Sequence, residues 1–98
     1  MSDVEVKNNP AESRYEAWLD GKIAGFAQYS VSADDAIVFT HTEVSDEFEG
    51  QGVGSALARG ALDDVRASGA PGVIPLCPFI KGWIDKHPDY ESLVLKRS

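Results

Sequence analysis

Residues 50–57 read GQGVGSAL, three glycines at alternate positions directly ahead of a segment with helical apolar spacing. Val53, Leu57, Ala61 and Val65 recur at steps of four with Ala56 beside them, while Arg59, Asp63, Asp64 and Arg66 fall mostly outside that stripe. This spacing predicts an amphipathic helix. Its end is predicted near Ser68-Gly69, where glycine takes the left-handed cap and Pro71 confirms the stop. A helix N-terminus leaves backbone N–H groups unpaired and carries partial positive charge, so it takes a phosphate wherever no side chain blocks the approach. Glycines at 50, 52 and 54 clear that approach. A tight strand-to-helix turn is the other use for them, but three glycines in five residues tilt toward a ligand.

Upstream of the glycines the pattern is extended. SRYEAWL (residues 13–19) is followed by Asp20-Gly21 and then by KIAGFAQYSV, and Asp-Gly between two alternating runs predicts a hairpin because both turn positions need positive φ. Alternation places Ile23, Ala27, Tyr29 and Val31 on one face of the second strand. Residues 32–35 supply a polar turn into a third strand, AIVFTHTEV, in which Phe39, His41 and Glu43 are expected on one face and Val38, Thr40, Thr42 and Val44 on the other. Downstream, GVIPLC reads as a fourth strand and FIKGWIDKH as a short helix stopped by His87-Pro88. A short strand at Val4 to Val6 and an extended tail around Leu93 to Leu95 complete the reading. The order β-β-β-α-β-α implies a mixed sheet, with the strands flanking the helix parallel.

The 98 residues suit one small domain, and we expect 1–98 to form one, with 43% hydrophobic and 26% charged residues, ordinary for a globular chain. Sixteen Asp and Glu against nine Lys and Arg give a net charge of -7, which argues against general affinity for nucleic acid or anionic lipid and is compatible with a cationic substrate. MSDVEVKNNP lacks the basic start and apolar run of a secretory signal, and no stretch approaches the roughly 20 apolar residues of a membrane span. A cytoplasmic location is expected. Cys77 has no second cysteine to pair with, and with only His41 and His87 it cannot build a zinc site.

Elimination narrows the ligand. A P-loop needs Lys and Ser/Thr after its last glycine, where this chain has Ser55-Ala56. A dinucleotide fingerprint needs Gly or Ala at position 55 and opens a chain's first βαβ unit rather than following three antiparallel strands. What VSDEFEGQGVGSAL (residues 44–57) resembles is the acetyl-CoA motif Q/R-x-x-G-x-G/A of the GNAT acetyltransferase superfamily, here at positions 49–54. Together with PLCPFIKGWIDKHPDY (residues 75–90), it is similar to a small single-domain GNAT-like subfamily. One departure is Glu49 at the first motif position, where a carboxylate would repel a pyrophosphate unless turned away.

The resemblance implies an α+β, GNAT-like fold and an acetyl-CoA-dependent acyltransferase acting on an amine of a small molecule or protein. It implies a pantetheine arm lying near Val44, a pyrophosphate cradled by the backbone from Gly50 to Ser55, and main-chain contacts from Gln51 and Val53, with Gly52 and Gly54 completing the cradle. Cys77, in a C-P-[YF] motif, is implied as a nucleophile. A buried small hydrophobe is the alternative. If Cys77 ends the fourth strand, His41 or Glu43 is expected to face it, where an imidazole would favour thiolate. Pro75 is expected where two parallel strands splay apart, or on a simple edge strand. Phe79, Trp83 and Tyr90 read as core packing or as walls of the acyl pocket. The alternative function is a reduced, non-catalytic module of the same fold that holds CoA or a partner protein.

Overall fold

Asp20 and Gly21 sit at φ 53° and 78°, the backbone that a two-residue hairpin between right-twisted strands requires. They join β2 (Arg14–Leu19) to β3 (Lys22–Val31). The computed structural model describes residues 4–48, 50 and 52–95. β1 (Glu5–Asn9) precedes the hairpin, and β4 (Ile37–Val44), α1 (Val53–Ser68), β5 (Val73–Pro75) and α2 (Pro78–Asp85) follow it, with 3-10 turns at Pro10–Glu12, Asp46–Phe48 and Pro88–Leu93. The sheet order is β1-β2-β3-β4-β5. The first four strands are antiparallel and β5 runs parallel to β4, the mixed α+β arrangement expected. The strand expected at Val4 to Val6 is longer and begins one residue later. The expected extended tail reduces to one bridge, Val73 to Val94.

Two bulges revise the strand faces. Ala17 pairs with Gly25 but Trp18 with Ile23, so Ala24 is the extra residue. Ala24 is fully buried, and Ile23, expected inside beside Ala27 and Tyr29, is 38% exposed, as Val31 is at 56%. On β4, Gln28 pairs with His41 and Tyr29 with Phe39, leaving Thr40 unpaired. A single inserted residue reverses the phase of everything beyond it. Phe39 therefore belongs to the core, Val44 packs against that same core, and His41 and Glu43 stand exposed. The expected grouping of Phe39 with His41 and Glu43 is overturned by that one residue.

α1 lies across the inner face of β1 to β4 and buries Val53, Leu57, Ala58, Ala61, Leu62 and Val65. The apolar stripe is thus widened by Ala58 and Leu62, while Ala56 is only half-buried. Gly69, at φ 80°, ends the helix as expected. Tyr15 Oη donates to Asp64 at 2.7 Å and Tyr90 Oη to Asp63 at 2.7 Å, fastening the polar flank of α1 to β2 and to the last 3-10 turn. Burial, then the bond to Asp64, pushes the Tyr15 phenol well above the usual tyrosine range.

α1 approaches β1 closely through Gly60, where a methyl group would fall 2.7 Å from Val6 Cβ. Gly60→Ala therefore sets a helix-propensity gain of about 1 kcal/mol against overpacking of about 1–3 kcal/mol. We expect net destabilisation, read as a lower urea midpoint with unchanged slope. A raised midpoint would mean that β1 yields at little cost.

Candidate active site

β4 and β5 pair through only three residues, ending at Phe39 with Pro75. Proline has no N–H to continue a ladder. Beyond it the Phe39 carbonyl accepts from both Leu76 N and Cys77 N at 3.0 Å, and among the described residues no strand pairs with 40–44 of β4 on that side. Pro75 thus marks the point where the parallel strands part, and it does so on the sheet's edge strand, so the two expectations for it hold together.

The glycine-rich turn lies at the head of α1. Gly50 and Gly52 adopt φ 84° and 73°, and a Cβ at either would meet no heavy atom within 4 Å. The first helical bond runs from Ala56 N to Gly52 O at 3.0 Å. Among the described residues nothing accepts from the backbone N–H of Val53, Gly54 or Ser55, and no acidic residue occupies the first turn. Such a turn offers an anion several donors and the positive end of the helix dipole. Gln51, expected to contribute a main-chain contact, and Glu49 lie outside the described residues. The Val53 side chain is buried, leaving only its main chain to a ligand. Ser55 Oγ accepts from Trp83 Nε1 at 3.0 Å, which ties α2 to the first turn of α1.

Gly54 has a different use. A Cβ there would fall 2.7 Å from Phe79 Cζ, so the missing side chain lets the Phe79 ring rest against the head of α1. Phe79 stays 41% exposed, and Leu76, one residue before Cys77, is 66% exposed. These two apolar side chains flank the cysteine.

Cys77 occupies the N-cap of α2 and is 3% exposed. Its Sγ donates to Thr42 Oγ1 at 3.2 Å. The partner of the thiol is therefore Thr42, and the expectation that His41 or Glu43 faces Cys77 is corrected: alternation past the Thr40 bulge turns those two to the other face of β4. There His41 Nε2 lies 3.5 Å from Glu43 Oε1 and its ring 6.2 Å from that of Phe26. Val44, expected beside the pantetheine, is half-buried at the end of the unpaired edge.

The open face of the sheet carries residues that sequence reasoning passed over. Glu16 is 5% exposed and accepts from Arg14 Nε at 2.8 Å, Asn9 Nδ2 at 3.0 Å and Trp18 Nε1 at 3.1 Å. The Arg14 guanidinium lies 5.0 Å over the Phe26 ring. Arg14, Ile23, Phe26, Glu43, Val44, Ser45 and Asp46 line a groove of about 640 Å³. Only the E-x-W spacing of Glu16 and Trp18 on a strand hints at this network, since those two side chains share a face.

The Asn9 amide holds the Glu16 carboxyl below the usual carboxylate range, burial works against it, and the bonds from Arg14 and Trp18 lower it further. A group whose native pKa is depressed stabilises the fold fully above its unfolded value, here near 4.5, and ceases to do so as pH falls through the native value. Glu16→Gln is expected to lower Tm at neutral pH, with the gap to wild type closing in acid. A gap independent of pH would locate the loss in shape rather than charge.

A mixed sheet whose parallel pair ends beside the glycine-led head of a helix defines a class of domain. A family model described as GCN5-related N-acetyl-transferase matches residues 14–93, and the chain belongs to that family of N-acetyltransferases. It is similar to a GCN5-like protein of Staphylococcus aureus solved by NMR, at 27% identity and a TM-score of 0.71 over 100% of this chain and 94% of that one. A ribosomal-protein-alanine N-acetyltransferase from Brucella melitensis biovar Abortus shares the fold at 19% identity and a TM-score of 0.55, and the match covers 87% of this chain and 63% of that longer one. No curated protein matches the sequence. Among the described residues no helix is long and apolar enough to cross a membrane.

Proposed function

We propose that this domain binds acetyl-CoA, passes the acetyl group through Cys77 to an amine of a small molecule or protein, and works in the cytoplasm. The observation that carries the reading is the run of amides at Val53, Gly54 and Ser55 that meet no acceptor among the described residues, beside the parted strands. The main chain of Gly50, Gly52, Val53, Gly54 and Ser55, with Gln51 by the same reading, holds the diphosphate. The unpaired edge of β4 toward Val44 offers backbone groups to the amides of the pantetheine arm, as a strand would.

Bound acetyl-CoA supplies a thioester, an acyl group on a good leaving thiol. Thr42 fixes the Cys77 sulfur in place, and Phe79 and Leu76 keep the surroundings apolar. The Cys77 sulfur bonds to the acetyl carbon as the CoA thiol leaves with the cysteine's proton. The amine nitrogen then bonds to that carbon, the bond to Cys77 breaks, and the thiol is restored. The proton that the nitrogen loses passes to the departing Cys77 sulfur, and it is this proton that restores the thiol.

Differential scanning fluorimetry tests the donor site. At a hundred times its dissociation constant, a ligand of the native state contributes about 2.7 kcal/mol, so acetyl-CoA is expected to raise Tm by roughly 10 °C. No rise sinks the proposal. Binding without transfer to any amine would favour the CoA-holding module instead.

A further inference from the structure

We infer that the groove on the open face of the sheet is the acceptor site and that it selects a zwitterionic amine, an amino acid or dipeptide carrying a free carboxylate as well as the amine to be acetylated. The inference rests on the acetyltransferase reading above and adds the acceptor's chemistry to it.

Size is the first support. At about 640 Å³ the groove lies within the range of small-molecule sites. The concavity beside Pro75 and Lys81 measures about 110 Å³, room for a few waters.

Charge placement is the second. Arg14 is fixed on two sides, by its Nε bond to Glu16 and by its stack over Phe26. A guanidinium has five N–H donors, and in this one only Nε meets an acceptor among the described residues. The two terminal nitrogens form the paired fork that suits a carboxylate. The groove is also lined by Asp46 and by Glu43, whose Oε1 lies 3.5 Å from His41 Nε2, carboxylates suited to an ammonium group. Arg14 leans from β2 over Phe26 on β3, and Phe26 pairs across with Glu43 on β4. Arg14 and Glu43 thus stand on the same face of the sheet, on either side of the strand that carries Phe26. A carboxylate and an ammonium joined by a short chain bridge the two, and a diamine would set a second cation against Arg14.

Position is the third. Glu43 is the chain neighbour of Thr42, whose hydroxyl holds the Cys77 thiol. Past Phe39 the outer edge of β4 has no strand partner among the described residues. Glu43 and Thr42 face opposite sides of β4, so an amine held at Glu43 meets the acetyl group around that open outer edge, and the carboxylate end lies away from it toward Arg14.

The test compares initial rates with acetyl-CoA for alanine and glycylglycine, for their amides, and for propylamine and 1,4-diaminobutane. Acceptors with a free carboxylate are expected to exceed the amides in kcat/KM by about ten- to a hundredfold, the worth of one charge-assisted hydrogen-bonded pair. Arg14→Gln is expected to erase that preference by raising KM for the carboxylate acceptors, with the Tm rise caused by acetyl-CoA retained. Asp46→Asn is expected to weaken every amine alike. Titration with glycylglycine followed by NMR supplies a readout independent of turnover: amide shifts are expected at Phe26, Glu43 and Ser45. Preference for 1,4-diaminobutane or the amides, selectivity unchanged in Arg14→Gln, or no shifts at those residues overturns the inference. Loss of the acetyl-CoA effect on Tm in the wild type counts against the donor site alone.

Discussion

Gly52→Asp is expected to abolish the rise in Tm caused by acetyl-CoA while leaving a folded protein. Gly52 is the N-cap of α1 at φ 73°, and a Cβ there meets no heavy atom of the described residues within 4 Å, so a short side chain can start from it. The left-handed backbone costs an L-residue about 1–2 kcal/mol, least for Asp and Asn, which lowers Tm by several degrees in a domain of this size. Against the diphosphate the new carboxylate stands as a like charge. A unit pair at 4 Å and an effective dielectric constant of 20 repels by about 4 kcal/mol, or roughly three decades in affinity. Gly52→Asn carries the same backbone strain without the charge and is expected to lose far less. Calorimetry on the pair separates the two effects, and an Asp variant that still binds acetyl-CoA as the wild type does would remove the seat from α1.

Cys77→Ala gives the second large effect, on chemistry rather than binding. The cysteine is buried, and its one side-chain bond is to Thr42. Losing the sulfur leaves a small cavity and frees a half-buried hydroxyl, about 1 kcal/mol of stability. Affinity for acetyl-CoA is expected to stay within about twofold, because none of the seat's donors belongs to this side chain. Turnover is expected to fall by about a hundredfold or more, the loss of a nucleophilic step. Intact-mass spectrometry after mixing with acetyl-CoA should find one acetyl group on the wild type and none on the variant. Full turnover by Cys77→Ala would assign the reaction to direct attack by the amine.

Much of this molecule can be read without its coordinates, and the parts that can are local. The Asp20–Gly21 hairpin follows from two positions that need positive φ, and α1 follows from four-residue spacing closed by Gly69. The glycines at 50 and 52 announce a turn of positive φ, bare of side chains, at the head of α1. Pro75 announces the end of a ladder because it has no N–H. Each conclusion depends on a residue and its immediate neighbours, and so survives without knowledge of the rest of the chain.

The partner of Cys77 could not be found in that way. It depends on whether β4 carries one extra residue, and Thr40 is extra only because β3 and β4 pair as they do on either side of it. Without the bulge, His41 and Glu43 would share a face with Phe39, and Thr42 would point away from the thiol. The close seat of Phe79 on Gly54 and the Arg14–Glu16–Phe26 network likewise join residues brought together by packing. The amino-acid sequence by itself determined which segments are strand and helix and where the backbone is left bare. Only the tertiary structure decided which side chains meet across the cleft, because a strand's facing reverses with each inserted residue and the pairing that tolerates an insertion is a property of two strands.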